Sequence, residues 1–240
     1  MRVLVFSDPH LEFHADQGQS FVASMPKDVD AVVVAGDLAS YGLLAQSVKL
    51  LCDSFPEVVL VNGNHDFYGS NPKSVSQTMK RLAQRHQNLH WLDESVAVIQ
   101  GQRFVGTTLW FADDPLAFRH RAAMNDFHMI QGFVPWVTQK NTLARRFLER
   151  EVRAGDLVIT HHLPSPQCTP EEYKHSPLNP FFVCDMEPLI HDRKPSLWVF
   201  GHTHNSRDFF LGGTRLIANP FGYARHEENP VFDWNCVLEV

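Results

Sequence analysis

The chain has 240 residues, of which 44% are hydrophobic and 20% are charged, as in an ordinary globular protein. Lys and Arg number 21 against 27 Asp and Glu, and the formal net charge of −6 argues against a basic field that would attract nucleic acid or an anionic membrane. Histidine is unusually frequent, with 14 residues.

No segment has the pattern of a targeting or membrane-spanning sequence. The first apolar stretch ends at Phe6, whereas a secretory signal needs roughly 7–15 apolar residues and a membrane span about 18 or more. The four cysteines are scattered without a CxxC pair, and a chain of this length buries a large core without disulfides. We therefore expect a cytoplasmic protein with reduced cysteines at Cys52, Cys168, Cys184 and Cys236.

In the first part of the chain, short β-branched apolar runs alternate with segments whose apolar residues recur at helical spacing. The runs predict strands buried on both faces, and the periodic segments predict amphipathic helices. In chain order they are strands Arg2–Ser7 and Asp30–Ala35, helix Leu43–Ser54, strand Glu57–Asn62 and helix Pro72–Arg85. This alternation is typical of an α/β sheet.

The remainder adds antiparallel pairs to that pattern. In chain order it predicts a hairpin of Val96–Gln100 and Arg103–Leu109, helix Thr138–Arg153, strands Asp156–Thr160 and Ser196–Phe200, and a hairpin of Asp208–Leu211 and Thr214–Ala218. The expected sheet is therefore mixed. Residues 111–137 and 163–193 are irregular and rich in proline and aromatic residues, and their length is typical of functional loops.

Residues with metal-ligand chemistry follow five of the predicted strands. The five segments are Asp8-Pro9-His10, Gly36-Asp37, Gly63-Asn64-His65-Asp66, His161-His162 and Gly201-His202-Thr203-His204. Ligands of open α/β sheets bind outside the carboxyl ends of the strands, so these side chains should meet at one edge.

The donor types indicate divalent metals. Imidazole, carboxylate and amide oxygen suit Mn, Fe, Zn or Ni. Cysteine is absent from all five of these segments, which argues against a structural zinc site. Seven candidates exceed the needs of one ion: Asp8, His10, Asp37, Asn64, His161, His202 and His204. Two ions about 3.5–4 Å apart would use them all, and Asp37 is the natural bridge because a carboxylate has two oxygens.

The ordered set of motifs, from residue 8 to 204, resembles the calcineurin-like metallophosphoesterase superfamily. The resemblance implies an α/β fold, a four-layer αββα sandwich of mixed sheets, as one domain over residues 1–240 with cap loops at 111–137 and 163–193. It implies one metal held by Asp8, His10, Asp37 and His204, and a second held by Asp37, Asn64, His161 and His202. It also implies that His65 lies beside the phosphate.

The expected function is that of a metal-dependent phosphoesterase acting on a small phosphorylated substrate. A hydroxide bridging the two metals would attack the phosphorus of a mono- or diester, and protonated His65 would act as general acid. Asp66 or another carboxylate would orient His65. The alternatives are a nuclease, which the net charge does not favour, and a non-catalytic metal-binding scaffold.

The sequence alone leaves the roles of His162, of the arginines in 111–137 and of Glu12 undecided between two interpretations each. Strand phase favours His161 over His162 as the ligand, which leaves His162 as a neighbour of the site or a substrate contact. In residues 111–137, either Arg119 or Arg121 receives a phosphate, or the aromatic residues simply form a small core. Glu12 is expected to be a helix or loop charge rather than a ligand.

Overall fold

A computed structural model describes residues 1–240 and contains two mixed β-sheets. The first sheet has the order β13–β1–β2–β3–β4. Its four parallel strands are β1 (Arg2–Phe6), β2 (Ala31–Ala35), β3 (Val58–Val61) and β4 (Leu89–Trp91), and β13 (Val237–Glu239) pairs antiparallel with β1.

The second sheet has the order β5–β6–β7–β8–β10–β9. Its members are β5 (Ser95–Ile99), β6 (Gln102–Thr107), β7 (Leu157–Thr160), β8 (Leu197–Val199), β9 (Arg207–Leu211) and β10 (Thr214–Ala218). The four central strands are parallel and the two edge strands are antiparallel. A separate two-stranded ribbon joins β11 (Gly222–Tyr223) to β12 (Glu227–Glu228).

The two sheets pack face to face because successive side chains of a strand point to opposite faces. In β1, Val3 and Val5 belong to the buried cluster between the sheets, together with Phe104 and Ile159 of the second sheet. The intervening residue Leu4 belongs to the cluster on the outer face. Burial on both faces explains why these strands are continuously apolar.

Helices cover both outer faces and complete the expected four-layer αββα sandwich. On the first sheet lie α1 (Gln19–Ala23), α2 (Tyr41–Ser54) and α3 (Pro72–Arg85); on the second lie α5 (Phe133–Glu151) and α6 (Glu187–Arg193). The N-terminus of α3 is capped by the Asn71 side chain, which accepts a hydrogen bond from the backbone N–H of Ser74 at 3.0 Å. None of the helices combines the length and the hydropathy needed to cross a bilayer.

The long segments expected to be irregular contain more helix than the sequence indicates. The segment 111–137 holds α4 (Asp126–Met129), the 3₁₀ turns Ala117–Ala123 and the start of α5, which begins at Phe133 rather than Thr138. The segment 163–193 holds α6 and the 3₁₀ turns Pro166–Cys168, Glu171–Tyr173 and Asn179–Phe181. These pieces are too short for an apolar periodicity to mark them. Two more 3₁₀ turns lie elsewhere, at Leu11–Phe13 and His65–Phe67.

Aromatic side chains join these two segments, which we call the cap segments. The ring of Phe127 lies 5.1 Å from that of Phe133 and 5.5 Å from that of Phe181, and Phe111 lies 5.1 Å from Phe181. Such edge-to-face pairs add to the hydrophobic burial. The aromatic residues of the first cap segment therefore form a small core.

Candidate metal centre

The carboxyl ends of β1, β2 and β3 meet those of β7 and β8 at one end of the sandwich, so the site is built from both sheets. Backbone hydrogen bonds tie the strand ends together: Asp8 N–H donates to the Gly36 oxygen at 3.1 Å, and Gly201 N–H donates to the His161 oxygen at 3.0 Å. Every sequence-predicted ligand lies at this end, at the point where its strand stops.

The first group of potential ligands comprises Asp8, His10 and His204, whose ligand atoms lie within 4.8 Å of one another. The Nε2 atoms of the two histidines are 3.2 Å apart, and Nε2 of His204 is 3.9 Å from Oδ1 of Asp8. Asp37 approaches this group with Oδ2, which is 3.6 Å from Nε2 of His10. These are the four residues assigned above to one metal.

The second group comprises Asp37, His161 and His202, again within 4.8 Å. Nε2 of His161 lies 3.4 Å from Oδ1 of Asp37 and 2.9 Å from Oδ1 of Asn64. Nε2 of His202 is buried and has no hydrogen-bond partner in the protein. Asp37 thus presents one carboxylate oxygen to each group.

The hydrogen bonds around the second group fit a cation. Nδ1 of His161 is 2.8 Å from the backbone oxygen of Ala35, which can only accept, so Nδ1 carries a proton and the neutral ring has a lone pair at Nε2. Nδ2 of Asn64 donates to Asp126 at 2.8 Å, which turns its Oδ1 towards the same point. Once Nε2 of His161 is deprotonated, its lone pair and those of Asn64 and Asp37 converge, as they do around a bound metal.

Glycines permit this close approach. A Cβ at Gly63 would lie 2.1 Å from Oδ1 of Asp37, and a Cβ at Gly36, where φ is +88°, would lie 2.4 Å from Nδ1 of His161. The neighbouring ligand positions adopt left-handed backbone without being glycine: φ is 52° at Asp8, 43° at His10, 53° at Asp37 and 66° at His202.

The two buried carboxylates of the site differ in their acidity. Burial and the charge of Asp37 raise the pKa of Asp8 to about 7 although His161 opposes them. Burial would also raise the pKa of Asp37, but the adjacent His161 and His65 hold it well below its ordinary value. Asp37 is therefore ionised at neutral pH without a metal.

Most histidines of the site are neutral in the metal-free protein. Burial lowers the pKa of His10 to about 4 and that of His204 to about 3, and it holds the pKa of His202 well below its ordinary value. His161 is the exception, because the charges of Asp37 and Asp8 outweigh its burial and raise its pKa to about 9. A proton therefore occupies Nε2 of His161 at neutral pH, and a metal would displace it.

His65 lies beside both groups, within 4.8 Å of ligand atoms of His10 and Asp37. Its ring stacks on Tyr68 at a centroid distance of 4.1 Å, and its Nε2 is 3.3 Å from the hydroxyl of Tyr223. Burial lowers its pKa. Its Nδ1 is 4.0 Å from Glu12, a carboxylate dismissed above as a helix or loop charge.

Of the carboxylates expected to orient His65, Asp66 does not face it. Oδ1 of Asp66 accepts from the backbone N–H of Ala39 at 3.1 Å, and Oδ2 accepts from the N–H of Gly63 at 2.8 Å and from Asn62 at 3.2 Å. Asp66 therefore holds the turn after β3 to the turn after β2.

Sequence reasoning also missed Asp126, which contributes to the site from α4. This fully buried carboxylate accepts hydrogen bonds at Oδ1 from Asn64 at 2.8 Å and from the Tyr68 hydroxyl at 2.6 Å. It therefore orients Asn64 directly and His65 through the ring of Tyr68. Nothing in the sequence pairs residues 62 positions apart, so only the fold reveals this contact.

His162 packs behind the second ligand group, in an aromatic environment. Its ring stacks on His202 at 4.3 Å and lies 5.2 Å from Trp110 and 6.0 Å from Phe111, and neither nitrogen has a hydrogen-bond partner. Burial and the charge of His161 hold its pKa well below its ordinary value. His162 supports the site by packing against it.

A cavity of about 400 Å³ opens beside the metal centre. Its inner end is formed by site residues, and its walls by both cap segments and the β11–β12 ribbon. Arg119 and Arg121, considered above as phosphate contacts, are exposed and do not line it.

Comparison with known proteins agrees with this geometry. The family model described as calcineurin-like phosphoesterase matches residues 1–206. Uncharacterized protein L509 of Acanthamoeba polyphaga mimivirus is 24% identical over 272 residues, covering 95% of this chain and 94% of the relative.

Solved structures share the fold at low identity. Phosphopantetheinyl hydrolase from Mycobacterium tuberculosis superposes with a TM-score of 0.78 and 17% identity over 99% of this chain and 95% of its own. The protein TT1561 of Thermus thermophilus has a TM-score of 0.59 and 17% identity over 91% of this chain and 88% of its own.

Proposed function

The chain belongs to the calcineurin-like phosphoesterase family, and on that premise we propose that it hydrolyses a phosphate mono- or diester with two divalent metal ions. The observation that carries the proposal is the position of Asp37. Its Oδ2 faces the group of His10 and its Oδ1 faces the group of His161, at 3.6 and 3.4 Å. A carboxylate placed in this way can serve two ions at once.

In this proposal one ion is held by Asp8, His10, Asp37 and His204, and the other by Asp37, Asn64, His161 and His202. The donor set of imidazole, carboxylate and amide oxygen suits Mn, Fe, Zn or Ni. When bound, the two ions would polarise the phosphate and supply an activated water as nucleophile.

In this proposal, His65 is the side chain that donates a proton during the reaction. Stacking on Tyr68 and the contact between Nε2 and the Tyr223 hydroxyl fix the ring at the edge of the cavity. Burial keeps the ring neutral before substrate arrives, and the negative charge of a phosphate ester favours its protonated form. Nε2 is then able to donate a proton to the departing oxygen as a general acid.

The proposal is tested by turnover of p-nitrophenyl phosphate and bis(p-nitrophenyl) phosphate with Mn, Zn, Ni and Fe, each against a chelator control. A phosphopantetheine ester belongs in the panel because the fold relative from Mycobacterium tuberculosis is described as a phosphopantetheinyl hydrolase. We expect metal-dependent hydrolysis of at least one ester. Failure of every ester with every metal would contradict the proposed function.

The role of Asp37 is tested by Asp37→Asn, which removes one charge and leaves a single acceptor oxygen. We expect turnover to fall by more than about a hundredfold, since even residues that only support metal ligands are worth 10–100-fold. The matched control is Asp53→Asn on α2, an exposed carboxylate paired with Lys49 far from the site, which should keep full activity. Equal activity of the two variants would exclude Asp37 as the shared ligand.

A further inference from the structure

The side chains lining the cavity beside the metal centre include no Lys or Arg. A site that binds a phosphate through protein groups generally uses arginine or lysine, because these supply the opposite charge. In this cavity a phosphate can find positive charge only at the proposed metal centre and at the adjacent His65. An anionic group at the far end of a substrate would find none.

Arg207 and Lys174, which lie close in sequence to residues that line the cavity, have other partners. Arg207 donates from Nη2 to the backbone oxygen of Gln167 at 2.8 Å and to that of Thr169 at 3.4 Å, which holds the second cap segment in place. Lys174 is exposed and pairs with Glu171, its neighbour on the same turn. Neither side chain is free to turn into the cavity without breaking these contacts.

The charged groups that line the cavity away from the proposed ligands and His65 are carboxylates. Asp126 is fully buried and Glu227 lies on β12 at the exposed side of the wall. A second phosphate placed here would face Glu227 with no compensating cation, and like charges brought together at a binding surface are strongly unfavourable.

The remaining walls are neutral and mixed in character. Leu178, Phe182 and Met124 present apolar surface, whereas Asn179 and Asn205 present amide groups. Such a lining accommodates an uncharged molecule with both apolar and hydrogen-bonding parts.

We infer that the substrate carries a single phosphate group and that its leaving group bears no negative charge. This inference rests on the proposed function and narrows it to a substrate class. Nucleic acids, nucleoside polyphosphates and sugar bisphosphates fall outside that class because each brings further negative charge into a cavity without a cation.

The test is competition against turnover of p-nitrophenyl phosphate, or of bis(p-nitrophenyl) phosphate if only the diester is hydrolysed, by the metal-loaded protein. Two matched pairs serve as inhibitors: fructose 6-phosphate with fructose 1,6-bisphosphate, and the mono- and bisphosphates of propane-1,3-diol. We expect each monophosphate to have an inhibition constant at least about tenfold lower than its bisphosphate, equivalent to about 1.4 kcal/mol.

The source of this discrimination is tested by Glu227→Lys, which places a cation in the wall. We expect the bisphosphates to bind about tenfold more tightly to this variant, so that the difference within each pair disappears. The control is Glu228→Lys on the same short strand, which makes the same charge change at a residue that does not line the cavity. It should leave all the inhibition constants unchanged.

Bisphosphates that inhibit the unchanged protein as strongly as the monophosphates would overturn the inference, and so would a failure of both monophosphates to inhibit. An unaltered ratio in Glu227→Lys would overturn it as well. In each of these cases the chromogenic ester is still hydrolysed and the proposed function stands. Loss of the proposed function is recognised separately, by the absence of turnover with every metal.

Discussion

Two adjacent histidines at the end of β7 show how strongly the local environment decides the role of a residue. His161 has one nitrogen fixed by the Ala35 oxygen and the other aimed at Asn64 and Asp37. His162, one position later, has no hydrogen-bond partner and packs between Trp110 and His202. The different partners of the two rings separate their roles, in line with the strand phase that favoured His161 as the ligand.

This separation leads to a prediction on metal content. His161→Phe should lose one of two bound metals, because it removes a ligand, whereas His162→Phe should keep both. The measurement is elemental analysis of both variants after reconstitution with Mn or Zn and gel filtration. Equal metal loss in the two variants would show that the assignment of the ligand is wrong.

Burial of His162 should make the stability of the metal-free protein depend on pH. The folded protein keeps His162 neutral, while the unfolded chain takes up a proton below about pH 6.5. The stability that comes from burying neutral His162 is therefore fully present above pH 6.5, and it is lost as the pH falls below that value. The free energy of unfolding of His162→Phe, relative to that of the unchanged protein, should therefore increase by up to about 1.4 kcal/mol per pH unit below about pH 6.

Urea unfolding in the presence of a chelator at pH 7.5, 6.5 and 5.5 measures this difference. The comparison between the two proteins cancels the titration of the other buried groups, which are common to both. A difference that does not change with pH would show that His162 takes up a proton within the folded protein.

At the scale of the elements, the turn after β2 is the most constrained part of the site. Gly36 has left-handed backbone, and any Cβ there would collide with the ring of His161. Gly42, only six residues later on α2, has no atom within 4 Å of its Cβ position. The same substitution at these two glycines therefore has opposite consequences.

We expect Gly36→Ala to destabilise the protein and to lower its affinity for metal at least about tenfold, because the ligand His161 must move. Gly42→Ala should raise the free energy of unfolding by about 0.5–1 kcal/mol, because alanine is the better helix former. Thermal unfolding and metal titration of both variants measure these effects. Retention of normal metal affinity by Gly36→Ala would contradict the described packing of the turn.

The elements could be predicted from the sequence to the extent that their patterns are strong. The five buried strands and helix α3 lie where their apolar patterns place them, within one or two residues. The three-residue strands β4 and β13 carry no pattern of their own and exist because a neighbouring strand offers hydrogen bonds. Helix α5 starts before Thr138, but its first residues are interrupted by a kink at Val134, where φ is −101° and ψ is 133°.

At the scale of the whole molecule, the site depends on two sheets that meet at one end. The convergence of the proposed ligands could be predicted because each follows its own strand, but the contacts of Asp126, Tyr68 and Tyr223 could not. Their roles arise from contacts across the cap and the ribbon, between residues about 60 to 160 positions apart. A single sequence has no local signal for such contacts.

Because the proposed ligands come from both sheets, bound metal should stabilise the entire fold. An ion that binds only the folded state, and is present at about 100 times its dissociation constant, raises the free energy of unfolding by about 2.7 kcal/mol. For a chain of this length, this corresponds to a rise in Tm of roughly 5–10 °C per ion. Calorimetry with excess Mn and with a chelator measures this shift. Asp37→Asn should show a much smaller one, and an unchanged Tm in the parent protein would indicate that no metal is bound between the sheets.

The left-handed backbone at Asp8, His10, Asp37 and His202 has an evolutionary consequence. Each of these residues holds a conformation that costs a non-glycine residue about 1–2 kcal/mol, and glycine would relieve that cost. A laboratory selection for thermal stability alone, carried out without metal, should therefore favour glycine at these positions and discard the ligands. The strained backbone at these residues lowers the stability of the protein, and only selection for function maintains the residues there.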